Sequence, residues 1–101
     1  MSIFNILKKS KDKFPFNESR NVVSITCVHV LDENKPILHV SHDMDDGCWQ
    51  FLCGEEHNDE DARIVALEEI YHLDKTIAEV ANLDYGKKAD RLSKDSKWHI
   101  S

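Results

Sequence analysis

The chain has 101 residues, 41% hydrophobic and 32% charged, with a formal net charge of −6. That length gives one domain whose core needs neither disulfides nor metal, and no apolar run approaches the roughly 18 residues of a membrane helix. The charge is uneven: residues 1–20 hold five basic and two acidic side chains, residues 21–101 hold eight basic and 17 acidic. A folded part with that balance repels phosphate backbones and attracts basic partners, which argues against nucleic acid as its target.

Residues 1–20 open with Ile3, Phe4 and Leu7 on one helical face, then Lys8, Lys9, Lys11 and Lys13. This reads as a short amphipathic helix followed by an irregular linker through Phe14-Pro15-Phe16, or as a basic arm that touches a membrane surface or an acidic partner. Lysines follow the apolar start and no small-residue cleavage site does, so the pattern is not that of a secretory signal.

Residues 21–101 read as a single α+β domain. Val22–Leu31 is β-branched and apolar almost throughout, a strand by composition. Asp32-Glu33-Asn34-Lys35 reads as a turn and Ile37–His42 as the returning strand, a hairpin that sets Cys27 opposite Val40 and Ile25 opposite His42. Cys48–Cys53 is a third strand, with Trp49, Phe51 and Cys53 alternating with Gln50 and Leu52. The expectation is thus an antiparallel meander of about three strands. Between Asn58 and Tyr71 two readings stay open. Either a helix capped by Asn58 starts at Asp59 and carries Ile64, Leu67, Ile70 and Tyr71 on one face, or Arg63–Ala66 is a strand and the helix starts near Leu67. Lys75–Leu83 is a second short helix with Ile77, Val80, Ala81 and Leu83 inward, closed by Gly86. Ala89–Leu92 and Trp98–Ile100 form a C-terminal strand pair, and one or two short helices cover one face of the sheet.

The residue types admit several chemistries. The hairpin register puts Cys27, His29 and His42 on one sheet face, a set able to hold zinc. No CxxC or HxxxH pair supports it, and half-buried histidines with a core cysteine are commoner, so no metal and no cofactor is expected. Asp43-Met44-Asp45-Asp46-Gly47 places its acids wrongly for a calcium loop. Cys48 and Cys53 sit in no nucleophile motif, although His57 is near in sequence. Three cysteines at scattered spacings make no disulfide framework and read as reduced thiols of a cytoplasmic protein. The distinctive feature is the acid: eight of the 19 residues from Asp43 to Asp61 are Asp or Glu. Asp43, Asp45, Asp46, Glu55, Glu56, Asp59, Glu60 and Asp61 form either a solvated face or a docking surface for a basic protein, around a core plug of Trp49 and Phe51.

Asp46-Gly47-Cys48-Trp49-Gln50-Phe51-Leu52-Cys53-Gly54-Glu55-Glu56 resembles the D-S-G-W-x-F-x-x-G-x-E signature of a bacterial family, formerly a domain of unknown function, grouped with the immunity proteins of polymorphic toxin systems. Asp74 with Ile77, then Gly86, Ala89, Arg91 and Trp98, fit the same likeness, which covers roughly residues 22–100. It implies a cytoplasmic protein that is not an enzyme and neutralises a toxin by stoichiometric binding. The acidic residues named above would meet a basic groove, with no nucleic acid or membrane as partner. The alternative is a regulatory or accessory domain that binds a small molecule.

Overall fold

Strand β1 (Val23–Cys27) lasts five residues before the chain turns into helix α1 (Val28–Glu33). The apolar run expected to continue as a strand to Leu31 therefore changes type at Val28. Valine is a weak helix former, but the helix buries Val30 to 1% exposure, and packing outweighs propensity over so short a run. Asn34 ends it in the left-handed region at φ 59°, and the Asn34 and Lys35 N–H groups both donate to the His29 carbonyl. What reads as a hairpin turn is a helix end.

This computed structural model describes residues 14–101 except His57. The expected arm lies mostly outside the described residues. From Phe14 the chain is irregular, but it is no spacer: Phe16 is buried, edge-on to Trp49 at 5.0 Å and to Phe51 at 6.1 Å.

The remaining strands are β2 (His39–His42), β3 (Trp49–Leu52), β4 (Ala62–Ala66), β5 (Lys88–Asp90) and β6 (His99–Ile100). Together the strands form one sheet in the order β4-β1-β3-β2-β5-β6. The architecture is α+β, but the sheet is mixed. The expected β1–β2 hairpin is absent: α1 carries the chain past the neighbouring position, and β3 returns to fill it, parallel to β1 with Ile25 beside Gln50. The second half of the meander is present, with Val40 opposite Phe51 and His42 opposite Trp49. So is the C-terminal pair, with Ala89 opposite Ile100.

Of the two readings around Asn58, the strand is the one found. Asn58 and Asp61 form a reciprocal capping box on a three-residue 3-10 turn, Asp59–Asp61. β4 follows as an edge strand antiparallel to β1, and helix α2 (Leu67–Leu73) begins directly after it. Ile64 is thus on the sheet and 74% exposed instead of lining a helix face. The second short helix is a 3-10 segment, Lys75–Val80. It ends too early for Gly86 to cap it; Gly86 (φ 82°) instead donates its N–H to the His42 carbonyl at 2.6 Å.

One buried cluster joins Phe16, Val40, Trp49, Phe51 and Ala89 to Leu67 and Ile70 of α2 and to Ile77, Val80, Ala81 and Leu83. The opposite face of the sheet is uneven, with Val23 and Ile64 exposed and Ile25, Gln50 and Leu52 half-buried. Among the described residues no helix is long and apolar enough to cross a membrane.

Candidate functional site

The fold divides the acidic stretch between the two ends of β3, a strand of four residues and so about 13 Å long. Asp43, Asp45 and Asp46 lie in the turn before it. Glu55, Glu56, Asp59, Glu60 and Asp61 lie beyond its end, near the start of β4. Three of these acids are held in local hydrogen bonds, two of them to backbone N–H groups. Asp43 accepts from Gln50 Nε2 at 2.8 Å, Asp46 accepts from the Cys48 N–H at 2.9 Å, and Asp61 accepts from the Asn58 N–H at 3.0 Å. Glu55 faces Lys35 Nζ at 3.8 Å on the surface. The side chains of Asp45, Glu56, Asp59 and Glu60 are exposed and hold no hydrogen bond or ion pair with another described residue. Trp49 and Phe51 are the buried plug that the sequence implies, but the acids around it fall into two groups separated by β3.

The denser acidic end adjoins the open sheet face. A shallow hollow of about 220 Å³ there is lined by Ile25, Cys27, Gln50, Leu52, Asn58 and Asp59 among others. Beside it runs β4, which pairs with β1 on one side only. Exposed Ile64 lies opposite Ile25 in that pairing. Apolar side chains and uncommitted carboxylates are therefore neighbours on one surface.

A second cleft, about 170 Å³, lies by the other end of the sheet and is lined by Asn17, Glu18, His42, Trp49, Leu83 and Tyr85 among others. The His42 ring stacks on Trp49 at 4.0 Å and 14° and leans on Tyr85 at 4.5 Å. Its Nδ1 lies 2.7 Å from the Leu83 carbonyl, so Nδ1 carries the proton and donates. Nε2 then faces Glu18 Oε2 at 3.4 Å. His42 Nε2, Glu18 Oε1 and Trp49 Nε1 are buried without a hydrogen-bond partner among the described residues. Sequence reasoning missed this site because Glu18 lies in the stretch read as linker.

The thiols are not poised for attack. Burial pushes the Cys48 thiol up, and the carboxylates of Asp46 and Asp43 add to the effect. Burial likewise raises the Cys53 thiol, with the Cys27 thiol hydrogen-bonded to it, while the Glu55 backbone N–H opposes. A nucleophilic cysteine needs the reverse shift. The Cys27, His29 and His42 set is also rearranged: His42 sits with Glu18 and Trp49, away from Cys27 and His29, because β2 does not adjoin β1. Cys53 takes its place, and the donor atoms of Cys27, His29 and Cys53 all lie within 4.8 Å of one another. Comparison with protein-family models, curated proteins and solved structures finds no match to this chain.

Proposed function

We propose that this protein is a small cytoplasmic binding domain without catalytic activity, which neutralises a basic toxin by covering its active groove. The observation that supports it best is the open sheet face, where half-buried Ile25 and Leu52 share a hollow with the uncommitted carboxylate of Asp59 and exposed Ile64 lies opposite Ile25. An apolar centre with a charged rim is the anatomy of a reversible protein interface. The partner is basic because the rim is acidic, and a nuclease-type groove that holds phosphate is basic by necessity. The resemblance of Asp46–Glu56 to the immunity-protein signature supplies the toxin.

On this reading the carboxylates steer the encounter, and the apolar strip holds the complex. Changing Glu55, Glu56 and Glu60 to Gln and Asp59 to Asn should slow association with a basic toxin domain roughly tenfold at low salt, with little change in dissociation. Salt at about 0.5 M should slow the wild type likewise, as the Debye length falls well below 10 Å. Asp45→Asn, at the far end of β3, should leave the rate unchanged. Ile64→Asp should instead speed dissociation. The measurement is surface plasmon resonance against the product of an adjacent toxin-like reading frame, paired with growth rescue on co-expression. A wild-type association rate for the fourfold variant would mean that the acidic end is only solvated.

The Glu18–His42–Trp49 cleft favours a second reading, a regulatory or accessory domain that binds a small molecule, because three buried polar atoms there have no partner among the described residues. A ligand that raises the melting temperature of the isolated chain, and fails to do so for Glu18→Gln, would support it.

A further inference from the structure

We propose that Cys27, His29 and Cys53 form a binding site for a thiophilic divalent cation, with zinc as the best fit. The site is a product of topology. β1 and β3 run parallel, so their C-terminal ends lie side by side. Cys27 is the last residue of β1, and Cys53 is the first after β3. The chain enters α1 at Val28, which brings His29, the second residue of that helix, to the same place. Three donors from three segments thus converge, none of them paired by a short sequence motif.

The distances suit the metal. Zinc bonds of about 2.3 Å to sulfur and 2.0–2.1 Å to nitrogen in a tetrahedron put ligands about 3.6–3.8 Å apart. Cys53 Sγ lies 3.7 Å from His29 Nδ1. The widest separation in the set is within 4.8 Å, and small side-chain rotations of about 1 Å close that gap. Two thiols and an imidazole select zinc and similar ions over magnesium and calcium, which require oxygen. The cysteines are buried and His29 is half-buried, so an ion would enter from the histidine side, with exposed Glu55 close to Cys53. Among the described residues three donors converge, and a tetrahedral ion has one further position to fill.

The test uses the full chain, kept reduced and treated with chelator, then titrated with cobalt(II) and with zinc(II) against a chromophoric chelator. Expected are one equivalent bound, a thiolate-to-cobalt charge-transfer band and the strong visible bands of tetrahedral cobalt. Cys53→Ser should remove the charge-transfer band or greatly weaken it. His29→Gln, at a half-buried position that tolerates the change, should weaken binding with the far-UV circular dichroism intact. Cys48→Ser and His42→Gln should bind as the wild type does. The chelated protein should keep its fold, because its core is a large apolar cluster, and zinc should raise its melting temperature but not that of His29→Gln. A cobalt spectrum of the hydrated octahedral ion, or zinc affinity unchanged in His29→Gln, would overturn the proposal. The toxin-binding reading stands or falls separately, since neither outcome depends on a protein partner.

Discussion

Asp74→Ala should lower stability by about 3–5 kcal/mol, the range for removing one partner of a buried ion pair. The Arg91 side chain is 1% exposed and that of Asp74 6%, with Arg91 Nη2 at 2.9 Å from Asp74 Oδ2. Arg91 also donates from Nε to the Ile37 carbonyl and from Nη1 to Thr76 Oγ1 and the Lys94 carbonyl, each at 2.9 Å, and its guanidinium lies 4.1 Å from the Trp98 ring centroid. Asp74 in turn caps the 3-10 segment by accepting from the Thr76 N–H and hydroxyl. Removing the carboxylate strands a desolvated guanidinium and uncaps the segment in one step. Arg91→Lys should cost nearly as much, since an ammonium cannot serve four acceptors in a planar fork. Asp74→Leu with Arg91→Met should recover much of the loss, because no charge is then left buried. Urea denaturation reads all three. A loss below about 1 kcal/mol for Asp74→Ala would mean that Arg91 swings out to water.

That network shows how much of the fold is legible in the residues. Asp74, Arg91 and Trp98 all belong to the likeness to the immunity-protein signature, but nothing in the spacing says that they touch. The contact spans residues 74 to 98 and exists only once β5 and β6 are paired. Local signals fared well: the Trp49-x-Phe51 alternation, the hairpin around Gly47 and the inward set Ile77, Val80, Ala81 and Leu83 follow from period and turn chemistry. The first hairpin misled because Val22–Leu31 has strand composition throughout, whereas Val28–Glu33 is a helix that buries Val30 in the core and ends at left-handed Asn34. That single change of element reorders the sheet. It makes β1 and β3 parallel, separates His42 from Cys27 and His29, and delivers Cys53 in its place. The acidic block was legible as composition but not as shape, since sequence proximity cannot show that a strand divides it.

Trp49→Ala should also cost about 3–5 kcal/mol, as for other buried large aromatics. The ring is 1% exposed and is held by Phe16 edge-on, by Phe51 in parallel at 5.8 Å and by His42 at 4.0 Å. Its loss would empty the point where the irregular N-terminal stretch, β2 and β3 meet. Trp49→Phe is the more telling variant. The indole N–H is buried without a partner among the described residues, and an unmatched buried donor costs about 1–3 kcal/mol. Phenylalanine gives up part of the packing but removes that donor, so its net cost should be under about 1.5 kcal/mol, as for a tolerated apolar exchange. Thermal and urea unfolding of the two variants, measured side by side, give the comparison. If Trp49→Phe proves as damaging as Trp49→Ala, the indole N–H is satisfied in solution. The natural acceptor would then be a molecule in the cleft that also meets Glu18 Oε1, and the small-molecule reading would gain at the expense of the toxin-binding one.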